Sequence, residues 1–267
     1  GIKLNDGDWA CRCNFFTANE DTLEDFCAGH IKTDEATILI SVLNEKLGND
    51  TIQFYPGKSY RHVMVYKGAQ KMDARCFPPH DIMGQPIQKH LPKGNGSEIL
   101  TDLMERSRAY LSNHDVNKVR IDLEENPANM IWLWGQGHRP KMPTFKERFN
   151  LTGAVITAVD LIKGIACYLG WDIIHVPGAT GYLDTNYANK GQYAIKALET
   201  HDLVLIHIEA PDEAGHEGKV HEKVSAIEQV DSKIIGPILE AKNKFRDLRI
   251  LVLPDHYTPI VKRTHTP

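Results

Sequence analysis

Two short apolar runs, LVLIHI at residues 203–208 and LRILVL at 248–253, constrain this chain more than anything else in it. Each is rich in Val, Ile and Leu with little alternation. That pattern suits strands covered on both faces, the signature of a parallel sheet flanked by helices. Around them the spacing predicts a strand at 130–134 (MIWLW), a helix over 153–168 that stops near Gly170, and a strand at 173–176. Helices are predicted at 188–198 and 219–241. Ligands of open parallel sheets collect beyond the carboxyl ends of the strands. The residues following the two runs therefore become the first place to look for chemistry.

The earlier residues have another texture. A strand is predicted at 8–17, a helix at 34–47, and strands at 52–55 and 62–66 flanking a Pro-Gly turn. A Pro- and His-rich stretch at 76–92 precedes a helix at 99–113. We therefore expect a smaller α+β unit over residues 1–118 and an α/β core over 119–267.

After the two apolar runs come the acids and histidines. Glu209-Ala210-Pro211-Asp212-Glu213-Ala214-Gly215-His216 follows the first, Pro254-Asp255-His256 follows the second, and Thr264-His265-Thr266-Pro267 closes the chain. Carboxylate with imidazole is the donor set of manganese and zinc sites, and two-metal centres draw such ligands from several loops. Taken singly, Asp212 reads better as a helix cap, His216 as a surface residue and Asp255 as an Asx turn. Three such elements in register with two predicted strands favour metal ligation.

Other features exclude more than they assign. A net charge of -4 gives no basic field for nucleic acid and no cationic face for a membrane, and no apolar run reaches the roughly 18 residues a span needs. The start, GIKLNDGDW, lacks the pattern of a secretion signal. Five scattered cysteines read as reduced thiols, Cys11 and Cys13 sharing a strand face, and point to the cytoplasm. Gly135-Gln136-Gly137 lacks the third glycine of a dinucleotide fingerprint. Lys163 reads either as an active-site cation or as a solvated helix lysine.

HIEAPDEAGHEG followed by LPDHYTPIVKRTHTP resembles the metal-binding segments of the alkaline phosphatase superfamily. More narrowly it resembles the 2,3-bisphosphoglycerate-independent phosphoglycerate mutases of the archaeal type. FYPGKSYRHVMV, CFPPHDIMGQPI, NPANMIWLWGQG, FNLTGAVITAVDLIKGI and VPGATGYLDTNY extend the resemblance, in order, over nearly the whole chain. It implies an α/β fold, a three-layer alkaline-phosphatase-like core with a smaller α+β inserted substrate domain. It also implies interconversion of 3-phosphoglycerate and 2-phosphoglycerate through a phosphoserine.

Two divalent ions would serve that reaction, Mn2+ first, with Mg2+, Co2+ and Zn2+ as the other choices, and no 2,3-bisphosphoglycerate. Asp212, His216 and His265 correspond to the ligands of the first metal, and Asp255 and His256 to those of the second. The family's remaining aspartate ligand and its nucleophilic serine would precede residue 1. The chain thus reads as an N-terminally truncated fragment, inactive alone, that also stops short of the family's usual end.

A phosphate- and carboxylate-bearing substrate calls for Arg forks. Arg12, Arg61, His62, His80 and Asp81 are the substrate-binding candidates, a histidine or Asp81 moving the proton. The expected partner is this small molecule alone, with no nucleic acid and no membrane. Two other readings stay open: a metal-dependent phosphatase or phosphodiesterase on the same core, and a non-catalytic, metabolite-binding remnant.

Overall fold

The computed structural model describes residues 2–266, so Pro267, which ends the third acid-and-histidine motif, lies outside them. Two compact units result, one running through Arg139 and the other beginning at Pro140.

Unit 1 is built around one long strand. β1 (Trp9–Asn19) pairs antiparallel with β4 (Arg61–Tyr66) on one edge and β5 (Met130–His138) on the other, while its far end pairs with β2 (Thr22–Asp25) and β4 continues to β3 (Ile52–Lys58). Cys11, Cys13 and Phe15 alternate onto one face and are buried, and the fully buried Trp132, Leu133, Phe16 and Met64 extend the core. Burial holds the Cys11 thiol up at about 12 and raises that of Cys13 as well, so both are inert hydrophobes. Helices α1 (Thr33–Leu47) and α2 (Ser97–Leu111) cover the sheet, and α3 (Asp115–Asp122) follows.

The run at 130–134 thus joins this antiparallel sheet, not the later parallel one. Eleven residues of β1 present two edges, and β5 fills the second. The division by contacts consequently falls at 139/140, whereas the texture of the sequence changes near 118/119.

Unit 2 opens with the short α4 (Phe145–Phe149) and holds a parallel sheet in the order β7-β6-β8, from β6 (Gly153–Ile156), β7 (Asp172–Ile173) and β8 (Leu203–Ile206). β6 is buried throughout, so residues 153–156 form a strand where helical spacing suggested helix, and α5 (Asp160–Leu169) starts only at Asp160. Gly170 ends it at φ 69°, a left-handed turn that glycine adopts without penalty.

α6 (Tyr187–Ala197) packs on β6 and β8, and α7 (Ala210–Glu217) leads into α8 (Val220–Val230). A π turn over Asp231–Ile235 joins α8 to α9 (Gly236–Glu240), so the helix predicted over 219–241 is present with a bulge in it.

Two expectations fail outright. β8 is not covered on both faces, since Leu203 is 38% and Leu205 42% exposed. Residues 248–253 form no strand and have no backbone pairing partner among the described residues. Leu251 is 83% and Leu253 65% exposed. Apolar sequence can favour a strand but cannot supply the neighbouring edge that a ladder requires.

Candidate functional site

The chain leaves β8 through His207-Ile208-Glu209 and turns into α7, where Pro211 in the first turn fixes the helical φ at no cost in hydrogen bonds. Asp212 lies in that first turn, its carboxylate favoured by the positive end of the helix, and His216 falls four residues on, on the same face. Their side chains meet, Nε2 of His216 lying 3.3 Å from Oδ2 of Asp212.

The loop after the second apolar run brings Nδ1 of His256 to 3.9 Å from Asp212, and the last residues bring Nε2 of His265 to 3.4 Å. The two imidazoles His216 and His265 approach to 3.0 Å through their Nε2 atoms, and Nδ1 of His216 meets the Arg263 carbonyl at 3.0 Å. One ligand atom each from Asp212, His256 and His265 lies within 4.8 Å of the others. Four of the five expected metal ligands are thus gathered around Asp212, whose side chain is only 20% exposed. The fifth, Asp255, sits at the rim of this group, its Oδ2 3.5 Å from Nε2 of His256. Its Oδ1 accepts the His256 backbone N–H at 3.0 Å and its side chain is 69% exposed.

This donor set fits a divalent ion. It offers one carboxylate and three imidazoles in a partly desolvated cup, the mixture that suits Mn2+ or Zn2+. Electrostatics around it agree. Burial raises the Glu209 carboxyl, and the charges of Asp212 and Asp255 raise it further. The Glu213 carboxyl is also raised by burial, and then by Glu209. Nearby, Nε2 of His207 stands 3.3 Å from Glu209 and its Nδ1 3.3 Å from the Thr157 hydroxyl, with burial depressing the imidazole. Fully buried Lys190 reaches the His207 carbonyl at 3.4 Å, and burial pushes its ammonium down to about 8.

In unit 1, strand register decides which substrate candidates share a face. Arg12 is opposite Trp134, and Asn14 is opposite both Trp132 and Arg61, so these side chains stand on one side of the sheet. The Arg12 guanidinium lies 4.6 Å over the Trp134 ring, Arg61 lies 5.3 Å over Tyr60, and neither forms an ion pair among the described residues. His80, in the 3-10 turn Pro79–Asp81, sets its ring 5.7 Å from Trp134 and 6.1 Å from Phe26, with Asp81 3.7 Å from its Nε2. An aromatic row, Tyr60–Phe26–His80–Trp134, therefore connects the two free guanidiniums.

His62 points the other way. It is 3% exposed against Phe15, its Nδ1 accepts the Gly57 N–H at 3.0 Å, and burial lowers it to about 4. Four residues escaped sequence reasoning, Asn14, Lys190, Lys223 and Thr258, while Trp134 reads from sequence as a core residue. Period-2 counting from Arg12 would have found Asn14. No local pattern marks a lysine whose burial depends on the packing of α6.

The sequence profile of the family described as 2,3-bisphosphoglycerate-independent phosphoglycerate mutase matches residues 1–117. A protein of that description from Methanosarcina mazei is 51% identical over 267 residues, all of this chain and 67% of the relative. Among solved structures, a Pyrococcus horikoshii protein superposes with a TM-score of 0.73 at 24% identity, over 99% of this chain and 63% of that one. That match bears on the fold alone. A cofactor-independent phosphoglycerate mutase from Thermoplasma acidophilum matches with a TM-score of 0.58 at 26% identity, over 89% of this chain and 62% of that one. The chain spans about two thirds of the length of its curated relatives.

Proposed function

Because this chain belongs to the 2,3-bisphosphoglycerate-independent phosphoglycerate mutase family, an isomerase family, we propose that it carries the metal-holding and glycerate-gripping parts of that glycolytic reaction. The substrates are 3-phosphoglycerate and 2-phosphoglycerate, and by its description the family does without 2,3-bisphosphoglycerate. The observation that carries the proposal is the convergence of Asp212, His216, His256 and His265 from a helix and two later segments. A family resemblance alone would not require these side chains to meet.

In unit 2, Asp212, His216 and His265 would hold one divalent ion, Mn2+ by preference, and Asp255 and His256 part of a second. Such ions supply positive charge against which phosphoryl oxygens are stabilised. The chain's own residues orient that charge. Asp212 gains a fixed direction from the start of α7, and the His216 ring is held through the Arg263 carbonyl. The three-layer core belongs to this reading and is supported by the parallel order β7-β6-β8 with helices packed against it.

In unit 1, Arg12 and Arg61 are free forks that would take the phosphate and carboxylate of the glycerate, with Trp134 and Tyr60 excluding water beneath them. His80 is exposed and paired with Asp81, so it is placed to move a proton at the glycerate hydroxyl. His62 is in our reading a supporting residue: at neutral pH its buried ring is unprotonated and its Nδ1 is already engaged. Among the described residues no serine lies in the group around Asp212, so this polypeptide alone is expected to bind ligands without forming 2-phosphoglycerate.

Titration calorimetry of the 267-residue chain tests the proposal. Mn2+ should bind saturably, and Asp212→Asn should weaken it by more than the 10–100-fold that loss of a ligand's supporting group costs, roughly. 3-Phosphoglycerate should bind more weakly to Arg12→Met and Arg61→Met. Absence of saturable Mn2+ binding would overturn the metal-centre reading, and phosphate release in place of phosphoglycerate binding would favour a phosphatase.

A further inference from the structure

Thr258 has no place in the ligand set, yet it is the most enclosed residue in the loop that carries His256. Its residue is 5% exposed, whereas Leu253, five positions earlier, is 65% exposed. Its hydroxyl donates a hydrogen bond to Oδ1 of Asp212, and Oγ1 also lies 3.3 Å from Nδ1 of His256. Its backbone carbonyl accepts from Nζ of Lys223, on α8, at 2.8 Å. Against the same carbonyl stands Gly215 of α7, where a Cβ would come within 2.7 Å of the oxygen and 3.0 Å of the Thr258 methyl. One residue therefore touches two of the proposed ligands through its hydroxyl. Its carbonyl, in turn, is clamped by α8 and packed on α7.

We infer that Thr258 is a positioning residue for the metal centre: its hydroxyl fixes the rotamer of Asp212, and so decides which carboxylate oxygen is left to the ion. The inference rests on the metal-centre reading above. A carboxylate has about four lone-pair directions, and a donor occupying one of them leaves the others aimed outward. Metal-ligating side chains are commonly oriented by such partners, whose loss costs about 10–100-fold in metal affinity. Lys223 and Gly215 keep the hydroxyl in place, together with the antiparallel bridge between the neighbouring Tyr257 and Thr266.

Mn2+ titration of the 267-residue chain, followed by calorimetry and by the electron paramagnetic resonance signal of free Mn2+, tests this. Thr258→Val, equal in shape without the hydroxyl, should weaken binding about 10–100-fold, and Thr258→Ser, which restores it, should bind within about threefold of the parent. A merely structural role would move the melting temperature of the metal-free protein in step with affinity, whereas the positioning role predicts loss of affinity at nearly unchanged melting temperature. Affinity in Thr258→Val within about threefold of the parent, or Thr258→Ser as weak as Thr258→Val, overturns the inference while leaving the metal centre standing. If Thr258→Val does not fold, Thr258→Ala is titrated in its place under the same criteria. A parent chain that fails to bind Mn2+ removes the premise, and the inference falls with it.

Discussion

His62 shows how one buried imidazole sets an acid limit. Burial lowers it from 6.5 to about 4, so between those values the unfolded chain binds a proton that the folded one refuses. Stability attached to this residue is complete above pH 6.5 and is lost as pH falls toward 4, by roughly 3 kcal/mol at 1.36 kcal/mol per unit. Urea unfolding of the parent and of His62→Gln across that window should show the parent's free energy falling more steeply. Parallel curves would mean that His62 is protonated inside the fold. The same shift explains why His80, exposed and paired with Asp81, is the better acid–base candidate of the two. Residue type made both histidines candidates, and burial separates them.

At the scale of elements, α7 does the most work per residue. It places Asp212 and His216 one turn apart, and Gly215 between them lets the Thr258 loop approach. Alanine there would gain about 1 kcal/mol of helix propensity. A Cβ within 2.7 Å of a backbone oxygen must push it away, at about 1–3 kcal/mol for overpacking. Strain should win, because the oxygen is also held by Lys223 and is not the end of a flexible side chain. Gly215→Ala is thus expected to lower the melting temperature modestly and Mn2+ affinity more, though no ligand is removed. Calorimetric titration against the parent checks it, and an affinity equal to the parent's would show that α7 and the loop are not coupled.

Over the whole molecule, two buried clusters, one in each unit, divide the stability. The first gathers Phe15, Phe16, Leu39, Met64 and Trp132; the second Ile156, Ala194, Ala210, Ala226 and Ile234. Scanning calorimetry should resolve two transitions. Mn2+ at 100 times its dissociation constant should raise only that of unit 2, by about 2.7 kcal/mol. A shift shared by both transitions would place the ion elsewhere. Limited trypsin digestion at exposed Lys141 should leave Mn2+ binding with the fragment that carries α7. Among the described residues no helix is long and apolar enough to cross a membrane.

Local rules sufficed for much of this. Period-2 alternation around Arg12, the helix over 34–47 and the strand at 203–206 can be read from side-chain spacing, because each is decided by neighbours within a few positions. Three acid-and-histidine motifs likewise marked, before any distance was known, the side chains that gather around Asp212 and that we propose as metal ligands. Pairing was not legible. The sequence could not show that 130–138 would join β1, that 153–156 would be a strand, or that 248–253 would find no edge, because hydrogen-bond partners come from distant segments. Nor could it tell His62 from His80, or mark Thr258 and Lys190. The chemistry of those side chains is fixed by what surrounds them, and only the tertiary structure decides what is buried beside what.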